Sequence, residues 1–511
     1  MRFHLLAPLL LALLPWHCVP AAAQTLNYPV AYAFSPALQP SQPAGQQCAL
    51  PQQTCQSGCV GITIKVDCSG ISQVSTGDGP PPDTNAAVGD SQVVEFVNNS
   101  YQVFDKTTGA PLTQPIDDKE LFQSLPGGSA CKIQDGGDVI VDFDKTNHVW
   151  LLAYNIGSPI GPGNTYPLCV AVSTSPDATG SYYAYQYPLG IYFADYPKWA
   201  MWPTGYFQTN DNGTYGPLVC AYNGAKMRAG DGTAEQICRR FTPRDFHLLP
   251  ADADSAPPAS QDEFFIGSMG VQHEPTCPGT GYNSLYLYSM HPVFSNPTQT
   301  TFTGIGLANP ICVPSYSPYL SQIPQEGTSK LLDSLGNASM FRFAYWNDGA
   351  LYYGGMQHWH MNHTVQAASG QAGVRWYEFE AIERPATLSS VYLLQSGTFA
   401  PDSNYRWMGS TAQDKLGDTA LGYSESSAQT FPSIYVTGRV LSDPSGGMEG
   451  EVLLWAGTAS QTTSSRWGDY SSMAIDGSDG CTFWYAQEYY DATAPTYWQT
   501  RLVAFTFNNC Q

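Results

Sequence analysis

The chain has 511 residues, with 42 acidic side chains against 21 basic ones, a formal charge of −21 and only 12% charged residues. This balance argues against nucleic acid as a partner, because phosphates demand a basic surface. No segment beyond the N-terminus approaches the about 18 uninterrupted apolar residues of a membrane span, so neither nucleic acid nor membrane is an expected partner.

The first element is a leader. Arg2, an apolar run from Leu5 to Leu14 and Ala21-Ala22-Ala23 before Gln24 form the charged, apolar and small-residue parts of a secretory signal peptide over residues 1–23. The product is expected outside the cytoplasm, secreted or periplasmic, as a monomer. Of 13 cysteines, Cys18 falls in the leader, which leaves an even number for disulfides in an oxidising compartment. Spacing suggests pairs within Cys48, Cys55, Cys59 and Cys68, then Cys131 with Cys169, Cys220 with Cys238, Cys277 with Cys312, and Cys481 with Cys510. A zinc site at Cys55 and Cys59 is disfavoured, since a second half is missing.

Residues 24–78 are rich in Pro, Gln, Ser and Cys, and read as a disulfide-stapled extension expected to plug or cover the domain that follows. Residues 79–511 carry the fold. Asp195-Tyr196-Pro197-Lys198-Trp199-Ala200-Met201-Trp202-Pro203 aligns without a gap on Asp469-Tyr470-Ser471-Ser472-Met473-Ala474-Ile475-Asp476-Gly477, and Arg406-Trp407 repeats at Arg466-Trp467. Distant self-similarity of this kind marks repeated supersecondary units. The units are β in character: short aromatic and β-branched runs such as Thr419-Ala420-Leu421-Gly422-Tyr423 and Thr482-Phe483-Trp484-Tyr485 sit between turn residues, and no window of similar length has helical spacing. The fold class is therefore all-β, a β-propeller of seven four-stranded blades, because radial repetition hides sheet edges. Blades are expected to begin near Asp83, Gly137-Asp138, Asp195-Tyr196, Gln261-Asp262-Glu263, Asp333, Arg406 and Arg466, with Ala251 to Ser260 as a connector. At roughly 60 residues per blade, against about 40–50 for compact repeats, the loops should be long.

The repeated segments place Asp195, Tyr196, Lys198, Asp469 and Tyr470 at the start of inner strands, near the channel mouth. Neighbouring carboxylates divide acid and base roles when their environments separate their pKa values, and a Tyr near a cation can act as base or nucleophile. Asp195, Asp469, Tyr470 and His363 are the catalytic candidates. Tyr196, Lys198, Arg406, Arg466, Trp467 and Arg375 are the substrate-binding candidates, the arginines as a cluster for an acidic sugar and the aromatics as faces for sugar rings. Met356-Gln357-His358-Trp359-His360-Met361-Asn362-His363 is the densest group of metal-type side chains, and strand alternation puts His358 and His360 on one face, a copper-like arrangement. Acidic turns at Asp142 to Asn147 and Asp476 to Gly480 have oxygen spacing suited to calcium. No cofactor is required by this reading.

Pro82-Asp83-Thr84-Asn85-Ala86-Ala87-Val88-Gly89, Asp195-Tyr196-Pro197-Lys198, Asn362-His363-Thr364-Val365, Arg375-Trp376-Tyr377-Glu378, Arg406-Trp407-Met408-Gly409-Ser410 and Arg466-Trp467-Gly468-Asp469-Tyr470-Ser471-Ser472-Met473 together resemble a family of secreted, largely uncharacterised bacterial proteins described as propellers akin to sialidases. Ser173 to Tyr182 is similar to a blade hairpin of arabinanase-type glycosidases, and Asp476 to Phe483 resembles a degenerate Asp box. The resemblance implies a propeller and carries no settled activity. The leading expectation is a carbohydrate-active hydrolase or lyase working on extracellular glycan. The alternatives are a non-catalytic propeller that binds glycan or protein, and a copper-binding secreted protein.

Overall fold

The computed structural model describes residues 24–37, 48, 54–55, 58–161, 163–212, 215–241, 246–268, 277, 282–304, 310–349, 355–383, 385–492 and 494–510. The expected signal peptide and Cys18 lie outside them.

Strands dominate, and the helices described are single turns such as Gly224–Arg228. The described strands make six hydrogen-bonded sheets. One of these contains two antiparallel units joined by a parallel pairing of Ala251–Ala253 with Phe343–Tyr345. The innermost strands of the resulting units are Asn85–Val88, Gly137–Asp144, Asp195–Trp202, Phe246–Ala253, Ser339–Asn347, Tyr405–Gln413 and Ser472–Ile475. Each touches the next in that order, and the last touches the first. This closed ring is a β-propeller, and its units are numbered I to VII below.

Many strands bury both faces, as in Gln92–Val97 and Val149–Asn155, because a blade packs against a neighbour on either side. Polar alternation is lost for that reason, and large aromatics fill the wedges: Trp150, Trp199, Trp359, Trp376, Trp407, Trp467 and Trp498 are all fully buried. Blades VI and VII meet so closely at Gly422 that a Cβ there would lie 2.5 Å from the Tyr485 ring.

The described residues of the N-terminal segment lie at the blade edges, away from the inner strands that line the channel. The segment runs round the rim and adds edge strands: Thr25–Asn27 on blade III, Ala31–Ser35 on blade II and Thr54–Cys55 on blade VI. Its long strand Ile62–Ser72 pairs with Gln499–Phe507 and supplies the outer strand of blade VII, so the two ends of the chain close the ring together. Unpaired outer edges are a liability that such additions remove. A buried ion pair between Arg501 and Asp67, 2.5 Å apart, crosses this seam.

Several expected blade starts move. Blade IV begins at Phe246, so Glu263 opens its second strand, and Ala251–Ala253 is the end of an inner strand instead of a connector. Pro250 and Asp252 within Phe246–Ala253 mimic a turn in sequence, but Asp252 is buried against Arg342. Blade V begins at Ser339 and blade VII at Ser472, each several residues after the expected Asp333 and Arg466.

Cys48–Cys68, Cys131–Cys169, Cys220–Cys238, Cys277–Cys312 and Cys481–Cys510 are bridged. The last ties the segment after the C-terminal strand to the hairpin turn of its own blade. With its cysteines 29 positions apart in sequence, chain-entropy arguments put its contribution at about 3–4 kcal/mol. Cys510→Ala is expected to lower the urea midpoint accordingly; an unchanged midpoint would mean that pairing with Ile62–Ser72 alone holds the seam.

Candidate functional site

The inner strands do not enter the channel as regular strands. Asp83, Asp138, Tyr196, His247 and Met408 all have φ between 50° and 54°, the left-handed region, and the ladders shift register beside Tyr196, His247 and Met408. Each non-glycine residue so placed costs on the order of 1–3 kcal/mol. The bulges turn these residues toward the axis and free backbone N–H groups, which carboxylates of neighbouring blades accept. Tyr196 N–H donates to Asp138 Oδ2 at 2.8 Å, Asp469 N–H to Asp83 Oδ1 at 3.2 Å, and His247 N–H to Asp211 Oδ1 at 3.0 Å.

The result is a ring of carboxylates at one mouth. Asp83, Asp138 and Asp469, from blades I, II and VII, each bring an oxygen to within 4.8 Å of the others. Burial raises the Asp83 carboxyl well above its ordinary value, with Asp469 and Asp138 adding repulsion. Asp138 is raised to about 6 by burial and by Asp195 beside it. Asp469 is raised by burial, while the adjacent Arg466 guanidinium, which donates to it, opposes the rise.

Beneath lies Lys198, fully buried. Its ammonium donates to Pro197 O at 2.9 Å and sits 3.4 Å and 4.0 Å from the ring centroids of Tyr196 and Tyr470. Burial lowers it to about 8 against the pull of Asp138, Asp469, Asp83 and Asp211. The carboxylates outnumber these cations, and a shared proton or a divalent cation could relieve the excess. Among the described residues this triad is the group whose geometry could hold a metal ion.

The structure thus gathers Asp195, Tyr196, Lys198, Arg466, Asp469 and Tyr470 at one mouth. Tyr470 is no base there: its hydroxyl donates to Val139 O at 2.9 Å, and burial with three nearby carboxylates pushes its pKa far up. Tyr196 likewise donates to Ser339 O. His363 is elsewhere, buried against Tyr377 Oη at 3.0 Å, with burial and Arg375 holding it down to about 3.

The arginines are dispersed. Arg406 is buried between Glu451 and Asp402, and Arg375 lies against Thr398, Ser396 and Pro314 O. Of the arginines singled out in the sequence, only Arg466 is at the mouth, so no arginine cluster for an acidic sugar forms. Trp467 is fully buried, donating to Ser424 Oγ. His358 faces Glu378 and His360 faces Gln413. In the acidic turns, Asp144 accepts from Thr146 and Asn147, and Asp479 from Cys481 and Thr482.

Sequence reasoning missed Asp83 and Asp138 as site residues although it used them as blade starts; the signal was their equivalence to Asp195 and Asp469 at the strand entrance. It also missed His247, whose Nδ1 lies 2.7 Å from Asp211 Oδ2 and whose ring packs edge-on to Tyr196.

Deeper in, the channel is closed by charge. Arg342 binds Asp252 at 2.5 Å, Asp254 at 2.9 Å and Met473 O at 2.9 Å, and Lys145 binds Asp254 at 3.0 Å. At the far end a cavity of about 700 Å³ is lined by Trp202, Trp346, Phe294, Arg228, Lys145 and Asp144. Lys145 and Asp254 belong both to this plug and to the cavity lining.

The raised carboxyls set the pH dependence of stability. Asp138 at about 6, Glu95, Asp414 and Glu425 at about 7 and Glu488 at about 8 are all raised mainly by burial. A raised carboxyl binds its proton better in the folded chain, so its contribution is present below the unfolded value of about 4 and is lost as pH rises through the folded value. Lys198, lowered, recovers its contribution only as pH rises above about 8. The melting temperature is expected to be higher at pH 5 than at pH 8. A rise over that interval would show that these carboxyls are already ionised in the fold at pH 5.

No family model matches the chain, and no curated protein matches it. Among solved structures, the WD40 domain of SCAP from fission yeast is 7% identical, over 94% of this chain and 98% of that one, with a TM-score of 0.39. The catalytic domain of the Coprinopsis cinerea GH62 α-L-arabinofuranosidase is 11% identical, over 76% and 95%, with a TM-score of 0.29. A PL25 ulvan lyase is 10% identical, over 88% and 84%, with a TM-score of 0.27. At such scores the functional reading rests on the chain's own residues.

Proposed function

We propose that this protein is a secreted hydrolase of neutral extracellular polysaccharide, acting at the carboxylate mouth. The observation that carries the reading is the triad of Asp83, Asp138 and Asp469 within 4.8 Å, with Asp138 held near neutrality beside the exposed Asp195. In this scheme Asp138 gives its proton to the leaving glycosidic oxygen as the bond to the anomeric carbon breaks. Asp469, kept in place by Arg466, takes that carbon as a covalent ester, and a water then displaces it while returning a proton to Asp138. With oxygens within 4.8 Å of one another, the carboxyl groups stand closer than the about 6.5–9.5 Å that leaves room for the water of inverting enzymes, which favours a retaining course. Secretion is supported by five described disulfides and by the absence, among the described residues, of a helix long and apolar enough to cross a membrane.

The test is incubation of the purified protein with neutral and acidic polysaccharides, with and without chelator, following new reducing ends, ultraviolet absorbance from unsaturated uronate, and the product anomer by NMR. Reducing ends with retained configuration on a neutral polymer are expected; absorbance on an acidic one would make it a lyase. The same triad favours a second reading, a propeller that binds glycan through a divalent cation. Binding without cleavage, abolished by chelator, would select it.

A further inference from the structure

The connection from blade II to blade III, residues 189–194, crosses the same mouth and ends at Asp195. It exposes two apolar side chains, Ile191 at 59% and Phe193 at 43%, and beside it the turn after Asn210-Asp211 exposes Tyr215 at 51%. Tyr192 and Tyr215 stack with ring centroids 3.7 Å apart, and the Arg240 guanidinium lies 4.8 Å from the Tyr192 centroid. Asn212 organises the group: it donates to Phe193 O at 2.6 Å and accepts from Arg240 at 2.6 Å, which also commits the side chain of this potential glycosylation sequon.

Arg240 makes no ion pair with a carboxylate among the described residues; its partners are the side-chain oxygen of Asn212 and Gly216 O. In a chain with twice as many acids as bases, a guanidinium left to neutral partners and stacked on an aromatic ring keeps donors for another ligand. Arg240 also walls a cavity of about 250 Å³ that includes Leu189, Leu218, Thr165 and Asn27 and has no carboxylate in its lining. Phe193 is two residues from Asp195, at most about 7 Å of extended chain.

We propose that Tyr192, Phe193, Tyr215 and Arg240 form a glycan-binding subsite that holds a neutral sugar of the same polymer the carboxylates act on. This rests on the reading of the mouth as a glycan site and names where the polymer runs beyond it. A sugar ring has apolar C–H faces and a hydroxyl rim. Here the exposed rings of Tyr215 and Phe193, the former backed by Tyr192, stand beside guanidinium, amide and hydroxyl groups, which matches both parts. A docked apolar peptide would leave Arg240, Asn27 and Thr165 facing its apolar side chains. A polyanion is disfavoured because Asp83, Asp138, Asp195, Asp211 and Asp469 share the face, in a chain of charge −21.

The test is affinity electrophoresis through gels containing arabinan, mannan, xyloglucan or, as the acidic arm, alginate, with the hydrolysis assay run in parallel on the unsubstituted protein. A neutral gel should retard the unsubstituted protein, and Tyr215→Ala and Arg240→Gln should each weaken that retardation by about tenfold with unchanged melting temperature. Equal retardation of both variants, or preferential retardation by alginate, overturns the subsite while the hydrolysis result still stands. Neither retardation nor hydrolysis of any polymer by the unsubstituted protein overturns the functional reading itself, and the subsite with it.

Discussion

Asp138→Asn is expected to lower kcat/KM on the cleaved polysaccharide by about 10²–10⁴-fold, the usual worth of a positioned general acid, without lowering the melting temperature at pH 7. The amide keeps an oxygen for the Tyr196 N–H, now bound at 2.8 Å, so the latch between blades II and III survives, but it has no acidic proton to give the leaving oxygen. It also removes a carboxyl whose ionisation is opposed by burial and by Asp195. The unsubstituted enzyme should lose activity as pH rises through about 6, since the acid must be protonated to act, and the variant should lose that limb. If kcat/KM is unchanged, Asp138 is only the latch.

Arg342→Met should produce the largest loss of stability of any single substitution in the channel. Its guanidinium is the common partner of Asp252 and Asp254 and also meets Met473 O. The buried Asp142, its carboxyl already raised well above the ordinary value by burial and by Asp252, is countered by Lys145 and Arg342. Removing one member of a buried ion group leaves uncompensated charge, which costs about 3–5 kcal/mol. Urea unfolding should show this as a lower midpoint at neutral pH. Because the stranded carboxylates can take up protons, part of the loss should be recovered at pH 5. A midpoint equal to that of the unsubstituted protein would show that the plug is dispensable.

The β-propeller was legible because its strand entrances repeat: Asp195-Tyr196 and Asp469-Tyr470 mark equivalent points of blades III and VII, and Arg406-Trp407 opens blade VI. Blades IV and V were misplaced because the inner strand Phe246–Ala253 carries a Pro and an Asp whose partners, Arg342 among them, lie far away in sequence. The edge strands of the N-terminal segment were not legible because its composition is turn-rich; they exist only through pairing with blade edges supplied by later residues.

The candidate site divides in the same way. Composition, cysteine spacing and local repetition by themselves determined an all-β chain, most of its disulfide pairs and the presence of Asp, Tyr and Lys at strand entrances, since these depend on residues close together in the chain or repeated along it. Only the tertiary structure decided which of those residues meet. It brought Asp83 and Asp469, 386 residues apart, into contact, put Lys198 beneath them, buried Arg406 and Trp467, and sent His363 to Tyr377. Ring closure sets these distances, and the burial that follows raises the carboxyls and lowers the lysine, so the chemistry of the mouth belongs to the assembled ring and to no single segment.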